Sequence, residues 1–361
     1  MAQAEFHSQS IPKRPCSAVI ELSHLPGEPP GPSPSPLLEE RAGERRPVDT
    51  PILNSIALPL LIVGPTAVGK SEIALSLAER VGGEIISADS MQVYRGMDIG
   101  TAKPTAEERG RVRHHLIDVA EMKERFDAAQ FVRLAQKAVA DIQSRGHLPI
   151  LCGGTGLYLK AFLEGLGEAP PSDDKLRAEL ETIPMPALLH ELAERDPATY
   201  QRIDQQNPRR VVRAVEVIRL TGKPFSLQRA LWTAERGIRD PELAFGLTRP
   251  YAELQRRIDP RVDKMFRDGL VAETEALLKC GLAENKTAMQ ALGYRQVVEY
   301  LRGERSLPET VELVKTRTRQ FAKRQITWFR RQMQLHWIDL GPKKTPEIVT
   351  LIQDWVGKTG S

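Results

Sequence analysis

The sequence predicts an α/β chain: a parallel, doubly wound sheet interrupted by an all-helical insertion and followed by a helical C-terminal part. Three observations predict it. Apolar strand-like runs alternate with helical patterns from Leu58 onward, the first run leads into a glycine-rich phosphate loop, and strand signals vanish between about Gly165 and Asp240. Strands separated by helices need crossover connections, which produce parallel sheets. Ligands of such sheets sit at the carboxyl ends of the strands.

The elements follow in order. Nine of the 27 prolines fall in the first 50 residues, including the run Pro26-Gly-Glu-Pro-Pro-Gly-Pro-Ser-Pro-Ser-Pro36, and Phe6 is the only aromatic there. Such a segment buries too little apolar surface to order itself, so residues 1–55 are expected to form a disordered tail. Glu5, Glu21 and Glu28 argue against a transit peptide. Residues 56–164 and 243–345 are expected to form the core domain, 165–242 the helical insertion domain and 346–361 a C-terminal tail.

The apolar run Leu58–Val63 ends at Gly64-Pro-Thr-Ala-Val-Gly-Lys-Ser71, and a helical pattern runs from Ser71 to Arg80. This is a complete G-x-x-x-x-G-K-[ST] loop in its strand-loop-helix setting. Gly64 and Gly69 let the backbone curl, so that the span through Pro65, Thr66, Ala67 and Val68 turns its N–H groups inward. Lys70 supplies a cation, and Ser71 offers a hydroxyl to Mg²⁺. The loop makes a diphosphate site without saying which diphosphate it holds.

Gly83–Ala88 reads as the next strand, with Asp89 at its carboxyl end. A carboxylate there can hold Mg²⁺ or accept a proton, or it can cap the following turn. After a polar connection, Asp127 opens a helix carrying Phe131, Leu134, Ala138 and Ile142 at helical spacing. The short run Leu148–Cys152 then ends in Gly153-Gly-Thr-Gly156, which brings Thr155 to the same crevice as the phosphate loop and Asp89. Many nucleotide-hydrolysing phosphate-loop proteins carry an acid for Mg²⁺ where this strand ends in Cys-Gly-Gly, which weakens ATP as the substrate. Helical stretches at 186–194 and 209–219 fill the insertion, and Leu243–Leu247 looks like a return to the sheet.

Composition sets outer bounds. With 361 residues and 41% apolar content the chain can build a sizeable core. It shows no apolar stretch long enough to cross a bilayer and no secretory signal, so a cytoplasmic protein with no membrane partner is expected. Cys16, Cys152 and Cys280 are isolated from one another and fit neither a disulfide framework nor a zinc site. The net charge is +4, with the first 50 residues contributing seven acids against five Lys/Arg.

That positive balance is concentrated in one place. From Leu313 to Ile338 there is no acid, while Lys315, Arg317, Arg319, Lys323, Arg324, Arg330 and Arg331 are interleaved with Phe321, Trp328 and Phe329. On a helix, Arg317, Arg324 and Arg331 share one face, and Val314, Phe321 and Trp328 share another, expected to be the core face. An uncompensated cationic face suits a polyanion, and the second cluster Arg209-Arg-Val-Val-Arg213 suits a long one such as a nucleic acid.

These residues resemble one family, the bacterial tRNA dimethylallyltransferases, over about residues 57–340. The resemblance rests on the phosphate loop, on Ser87-Ala-Asp-Ser90 with Tyr94-Arg-Gly-Met-Asp-Ile-Gly-Thr-Ala-Lys-Pro104, and on Gly153-Gly-Thr-Gly-Leu-Tyr158. It extends to Asn207-Pro-Arg-Arg210, Leu292-Gly-Tyr-Arg295 and Ala322-Lys-Arg-Gln-Ile-Thr-Trp328. It implies a P-loop NTPase-like fold that binds dimethylallyl diphosphate with Mg²⁺ and acts, as a monomer, on the anticodon stem-loop of tRNA.

The family pattern assigns roles residue by residue. Asp89 matches the general base, Ser71 sits on the reacting diphosphate with Lys70, and Arg261, within Arg257-Ile-Asp-Pro-Arg261, matches an arginine that also holds it. Thr155 and Arg177 match positions touching tRNA, as do Asp89, Ser90, Met91 and Gln92. So do Arg209, Arg210, Val211, Val212 and Arg213, and further on Gln290, Ala291, Leu292, Gly293, Tyr294 and Arg295. The last matching stretch is Lys323, Arg324, Gln325, Ile326, Thr327, Trp328, Phe329 and Arg330. Ser71 replaces the commoner Thr, and Gln290 stands where some relatives carry Arg.

The implied reaction moves a dimethylallyl group to N6 of adenine-37, beside the anticodon, and releases diphosphate. An allylic diphosphate leaves readily only if the charge growing on its oxygens is neutralised, a task for the loop amides, Lys70, Arg261 and Mg²⁺. Two other readings predict different chemistry. A small-molecule kinase would transfer phosphate from ATP, and a non-catalytic RNA-binding protein would consume no diphosphate.

Overall fold

The computed structural model describes residues 59–228, 243–341 and 343–359. The expected N-terminal tail and the end of the insertion, residues 229–242, lie outside the described residues. The first half of the core runs β1 (Leu60–Val63), α1 (Lys70–Val81), β2 (Gly83–Ala88), α2 (Ala106–Arg111), β3 (His114–His115), α3 (Ala128–Ser144), β4 (Leu148–Gly153) and α4 (Gly156–Glu164). Five helices follow: α5 (Asp174–Leu180), α6 (Met185–Arg195), α7 (Pro197–Tyr200), α8 (Pro208–Thr221) and α9 (Phe225–Gln228). The chain then re-enters the sheet through β5 (Ala244–Thr248), continues through α10 (Tyr251–Arg267), α11 (Leu270–Lys279), α12 (Tyr294–Leu301) and α13 (Leu307–Gln332), and ends with β6 (His336–Asp339) and α14 (Thr345–Thr359).

The six strands form one sheet in the order β3-β2-β4-β1-β5-β6. Every pairing is parallel, as expected from the alternation of strands and helices. β1 is central, with Leu60 opposite Ile150 of β4 and Leu61 opposite Ala244 of β5. Strands β2 to β4 lie on one side of β1 and β5 and β6 on the other, so the winding changes direction there. A crevice opens at the carboxyl end of such a strand, which is where the phosphate loop begins. The fold is P-loop NTPase-like.

The pleat divides the core. Leu60 and Ile62 join Ile73 and Leu77 of α1, Ile258 of α10 and Ile352 of α14. Leu61 and Val63 point the other way, to a cluster with Phe131 of α3, Leu159 of α4 and Val298 of α12. All four β1 residues are buried, so truncation of Ile62 to Ala should cost roughly 2–5 kcal/mol. A third cluster, with Leu180, Leu188, Leu192, Val211, Val215 and Ile218, belongs wholly to α5–α8. We propose on this ground that 165–242 is a domain inserted into the core formed by 56–164 and 243–345.

Three features depart from the sequence expectations. The polar connection after β2 and the helical C-terminal part each contain a short strand, β3 and β6, on the two edges of the sheet. Of residues 346–361, expected as a tail, 346–359 belong to helix α14, whose Ile348, Val349 and Ile352 are buried against the α1 side of the sheet. On α13, Val314 is buried but Phe321 is 37% exposed, and the buried positions continue instead through Ala322, Gln325 and Phe329. A seven-residue step falls only about 20° short of two full turns, so Phe321 stays near the Val314 face; it is open because it lines a cleft beneath Arg324 instead of a packed neighbour.

Candidate active site

The loop 64–69 leaves β1 at the sheet's carboxyl edge, and Gly69, at φ 110, adopts a left-handed conformation that a side chain would strain. Lys70 and Ser71 open α1, so its free N–H groups and its dipole favour an anion beside them. The Lys70 ammonium donates to the Pro65 carbonyl at 2.8 Å. Two arginines fasten the carbonyls of the loop. Arg257 Nε donates to the Ala67 carbonyl at 2.9 Å, and Arg249 Nε donates to that of Val68 at 2.9 Å.

Opposite the loop, β2 delivers Asp89 and β4 delivers Thr155. The Met91 amide donates to Asp89 Oδ1 at 2.9 Å, so the carboxylate does cap the next turn, through one oxygen. The Ser90 amide donates to Thr155 Oγ1 at 3.0 Å and ties the two strand ends together. Gln92 fixes the following loop: it accepts from Ser87 Oγ at 2.8 Å and donates to the Thr101 carbonyl at 3.2 Å. Tyr294 reaches the same loop, accepting from the Gly100 amide at 3.1 Å and donating to Glu273.

Together these elements enclose a cleft of about 660 Å³ lined by Lys70, Ser71, Asp89, Thr155, Arg257 and Arg261, with Gln290, Leu292, Phe321 and Arg324 among its further walls. Its charges act on one another. Burial lowers the Lys70 amine to about 8, with Cys152 and Asp89 opposing and Arg261 reinforcing the fall. Burial likewise lowers the Arg261 guanidinium, and the negative charge of Asp89 opposes that. Burial raises the Cys152 thiol to about 11, and the Lys70 charge opposes it. Cys152 is thus a neutral wall where an acid for Mg²⁺ was missing from the sequence. Arg261 makes no hydrogen bond or ion pair among the described residues. A cleft that desolvates two cations without pairing them is built for an anionic ligand.

A family model described as IPP transferase matches residues 92–332. A tRNA dimethylallyltransferase of Geobacter metallireducens is 46% identical over 299 residues, 81% of this chain and 96% of the relative. Another, from Trichlorobacter lovleyi, is 49% identical over 286 residues, 77% of this chain and 92% of the relative. The chain belongs to the tRNA dimethylallyltransferase family. Among solved structures, the tRNA isopentenylpyrophosphate transferase of Bacillus halodurans is 41% identical, with a TM-score of 0.59 over 82% of this chain and 96% of that one. A eukaryotic dimethylallyltransferase described as acting on tRNA has a TM-score of 0.68 at 26% identity, over 83% of this chain and 79% of that one.

Measured against the family pattern, the cleft brings together part of the expected set. The expected diphosphate residues Lys70, Ser71 and Arg261 share it with Asp89 to Gln92, Thr155, Gln290 to Leu292, Arg324 and Gln325. Other expected tRNA contacts are buried side chains: Val211 and Val212 belong to the insertion core, and Tyr294 and Phe329 to the main one. Arg177 and Arg213 lie in the insertion and are tied to Glu216, which is fully buried, at 2.6 and 2.7 Å. Arg209 reaches back to the core, donating to Gln290 Oε1 and, at 3.0 Å, to the Lys286 carbonyl. Arg210, Arg295, Lys323, Thr327 and Arg330 are exposed outside the cleft, and Ile326 packs against the core.

The absence of acids from 313–338 proved a poor guide to charge balance. Lys315 pairs with Asp263 of α10 at 2.9 Å and Arg319 with Asp259 at 2.9 Å, so two cations in the first half of α13 are compensated from a neighbouring helix, whereas Arg317 between them meets only Gln320 among the described residues. Farther along, Lys323, Arg324, Arg330 and Arg331 pair with no acid among the described residues. Arg324 lies over the Phe321 ring at 5.9 Å, at the rim of the cleft. Sequence reasoning also passed over Arg249 and Arg257. The available signal was the spacing of Arg257 and Arg261, four residues apart and therefore on one helix face.

Proposed function

We propose that this protein transfers a dimethylallyl group from dimethylallyl diphosphate to N6 of adenine-37 of tRNA, releasing diphosphate. The observation that carries it is the joining, in one cleft, of a phosphate loop, an unpaired arginine and the half-buried Asp89 carboxylate, beneath a helix rim of unpaired cations. Family membership supports a prenyl transfer. In the step itself the adenine N6–C bond forms as the allylic C–O bond breaks and its electron pair leaves with the diphosphate. The N6 proton goes to the free oxygen of Asp89. Lys70, Arg261 and the loop amides take up the charge developing on the leaving oxygens.

Mg²⁺ fits a sparse donor set here. Among the described residues no group of three or more His, Cys, Asp or Glu is placed to hold a metal, and the cleft offers the Ser71 hydroxyl and the Asp89 carboxylate. A small, hard cation that keeps its waters and takes its remaining ligands from phosphate oxygens suits such a site. When bound it would supply further charge neutralisation on the diphosphate. The adenine must leave its stack to reach Asp89, and a single-stranded anticodon loop lowers the cost of that extrusion. Lys323, Arg324, Arg330 and Arg331 are placed to grip the RNA backbone.

No helix among the described residues is long and apolar enough to cross a membrane, and action on tRNA agrees with a cytoplasmic location. The test is a mass measurement: unmodified tRNA incubated with protein, dimethylallyl diphosphate and Mg²⁺ should gain one C5H8 unit on adenine. No gain across several purified tRNAs would overturn the reading. Transfer of the γ-phosphate of ATP to an acceptor would replace it with a kinase.

A further inference from the structure

We infer that Gln325 is a positioning residue that braces the phosphate loop against the loop carrying Thr155, rather than an RNA contact. This rests on the reading of the cleft as a diphosphate site. Gln325 sits on α13 and is only 7% exposed. Its carboxamide is used at both ends: Oε1 accepts from the Thr66 amide at 2.8 Å, and Nε2 donates to the Gly154 carbonyl at 2.9 Å. Thr66 and Gly154 belong to loops that leave the adjacent strands β1 and β4, and no strand ladder extends to them. One side chain therefore spans the gap beyond the end of the sheet.

The glycines of the 153–156 loop bear this out. None of Gly153, Gly154 and Gly156 has a positive φ, so a turn conformation does not require them. Space does. A Cβ on Gly154 would lie 2.5 Å from Gln325 Nε2, and one on Gly156 would lie 2.2 Å from the Trp328 ring. At positions 154 and 156 the loop is bare so that α13 can seat Gln325 and, three residues on, Trp328 against it; at Gly153 the close neighbour is Ala88 of β2, 2.2 Å from such a Cβ. The same helix displays Lys323, Arg324 and Arg331 outward. The brace thus links the RNA-facing helix directly to the backbone that grips the diphosphate.

Three measurements on the full chain test this. In Gln325→Met, which keeps the length and removes both hydrogen bonds, affinity for inorganic diphosphate with Mg²⁺ should fall about tenfold while tRNA affinity changes less than about twofold. Amide exchange at Thr66 should accelerate in Gln325→Met and stay slow in Gln325→Glu, which keeps the acceptor, with peptides of β4 and α3 unchanged in both. Gly154→Ala should reproduce the diphosphate defect. A loss of tRNA affinity with diphosphate binding intact would make Gln325 an RNA contact and overturn the inference, as would unchanged exchange at Thr66. Wild-type protein that binds diphosphate yet adds no C5H8 to tRNA would sink the proposed reaction and leave the brace standing. Protein that binds no diphosphate would sink both.

Discussion

The cleft and the helical insertion both gather arginines, but they treat them oppositely. In the insertion, Arg177 and Arg213 share the buried carboxylate of Glu216, and Arg219 is held by Glu191 at 2.7 Å. In the cleft, Lys70 finds only a backbone carbonyl and Arg261 makes no hydrogen bond or ion pair among the described residues. α13 repeats the contrast within a single helix: Lys315 and Arg319 are neutralised by α10, whereas Arg324 and Arg331 are not. A cation already paired with an acid contributes to the fold. One left unpaired at a cost in desolvation is held ready for a ligand.

The contrast breaks most visibly at Asp89. Asp89→Ala should lower the single-turnover rate of prenyl transfer by about 10³-fold, because proton acceptance at N6 is lost, while tRNA retention on a filter stays within about twofold. Lost retention would recast Asp89 as a binding residue. Next in size is Glu216→Ala, which strands two arginines around a buried site. It should cost about 3 kcal/mol in urea unfolding and leave diphosphate affinity unchanged. If diphosphate binding fell with stability, the insertion and the cleft would not be separable in the way their charges suggest.

How much of this was legible beforehand follows the range of each signal. The phosphate loop, the strands β1, β2, β4 and β5 and the Asp127 cap are written in contiguous residues, and they could be read. Two of the insertion's helices, α6 and α8, were also legible, and in α8 Val211, Val215 and Ile218 recur at helical spacing. What was not legible is tertiary. Asp259 lies 60 residues before Arg319, and Asp263 precedes Lys315 at a similar range, so the charge run looked bare. β3 has only two residues, and β6, as short as β1, lacks the continuous apolar run that marks that strand. The Gly-rich turn after β4 looked like a turn because its true cause, the approach of Gln325 and Trp328, lies on a helix that arrives 170 residues later.

Smaller effects sharpen the comparison. The Lys70 amine, lowered to about 8, is charged below that pH and loses its proton above it. Diphosphate affinity should therefore weaken as pH rises through about 8, by up to about tenfold per unit, and Lys70→Arg should flatten that dependence relative to wild type. Calorimetric titration between pH 7 and 9 checks it; equal slopes for the two proteins would show that the ligand alone titrates. Smallest of all, Arg331→Gln should reduce the slope of log tRNA affinity against log salt by about 1, and Arg319→Gln should leave it unchanged. Equal effects at the two positions would mean that pairing with Asp259 does not take Arg319 out of the RNA-facing set.

The central claim is that the phosphate loop grips a leaving group while the carbon chain moves. It is tested most directly with dimethylallyl diphosphate labelled at C1 in one reaction and on its β-phosphate in another, each incubated with protein, Mg²⁺ and unmodified tRNA. The account predicts that the carbon label enters the RNA, on adenine, and that all the phosphate label appears as free diphosphate. Phosphate label in the RNA, or carbon label remaining wholly in the small-molecule fraction, would contradict it.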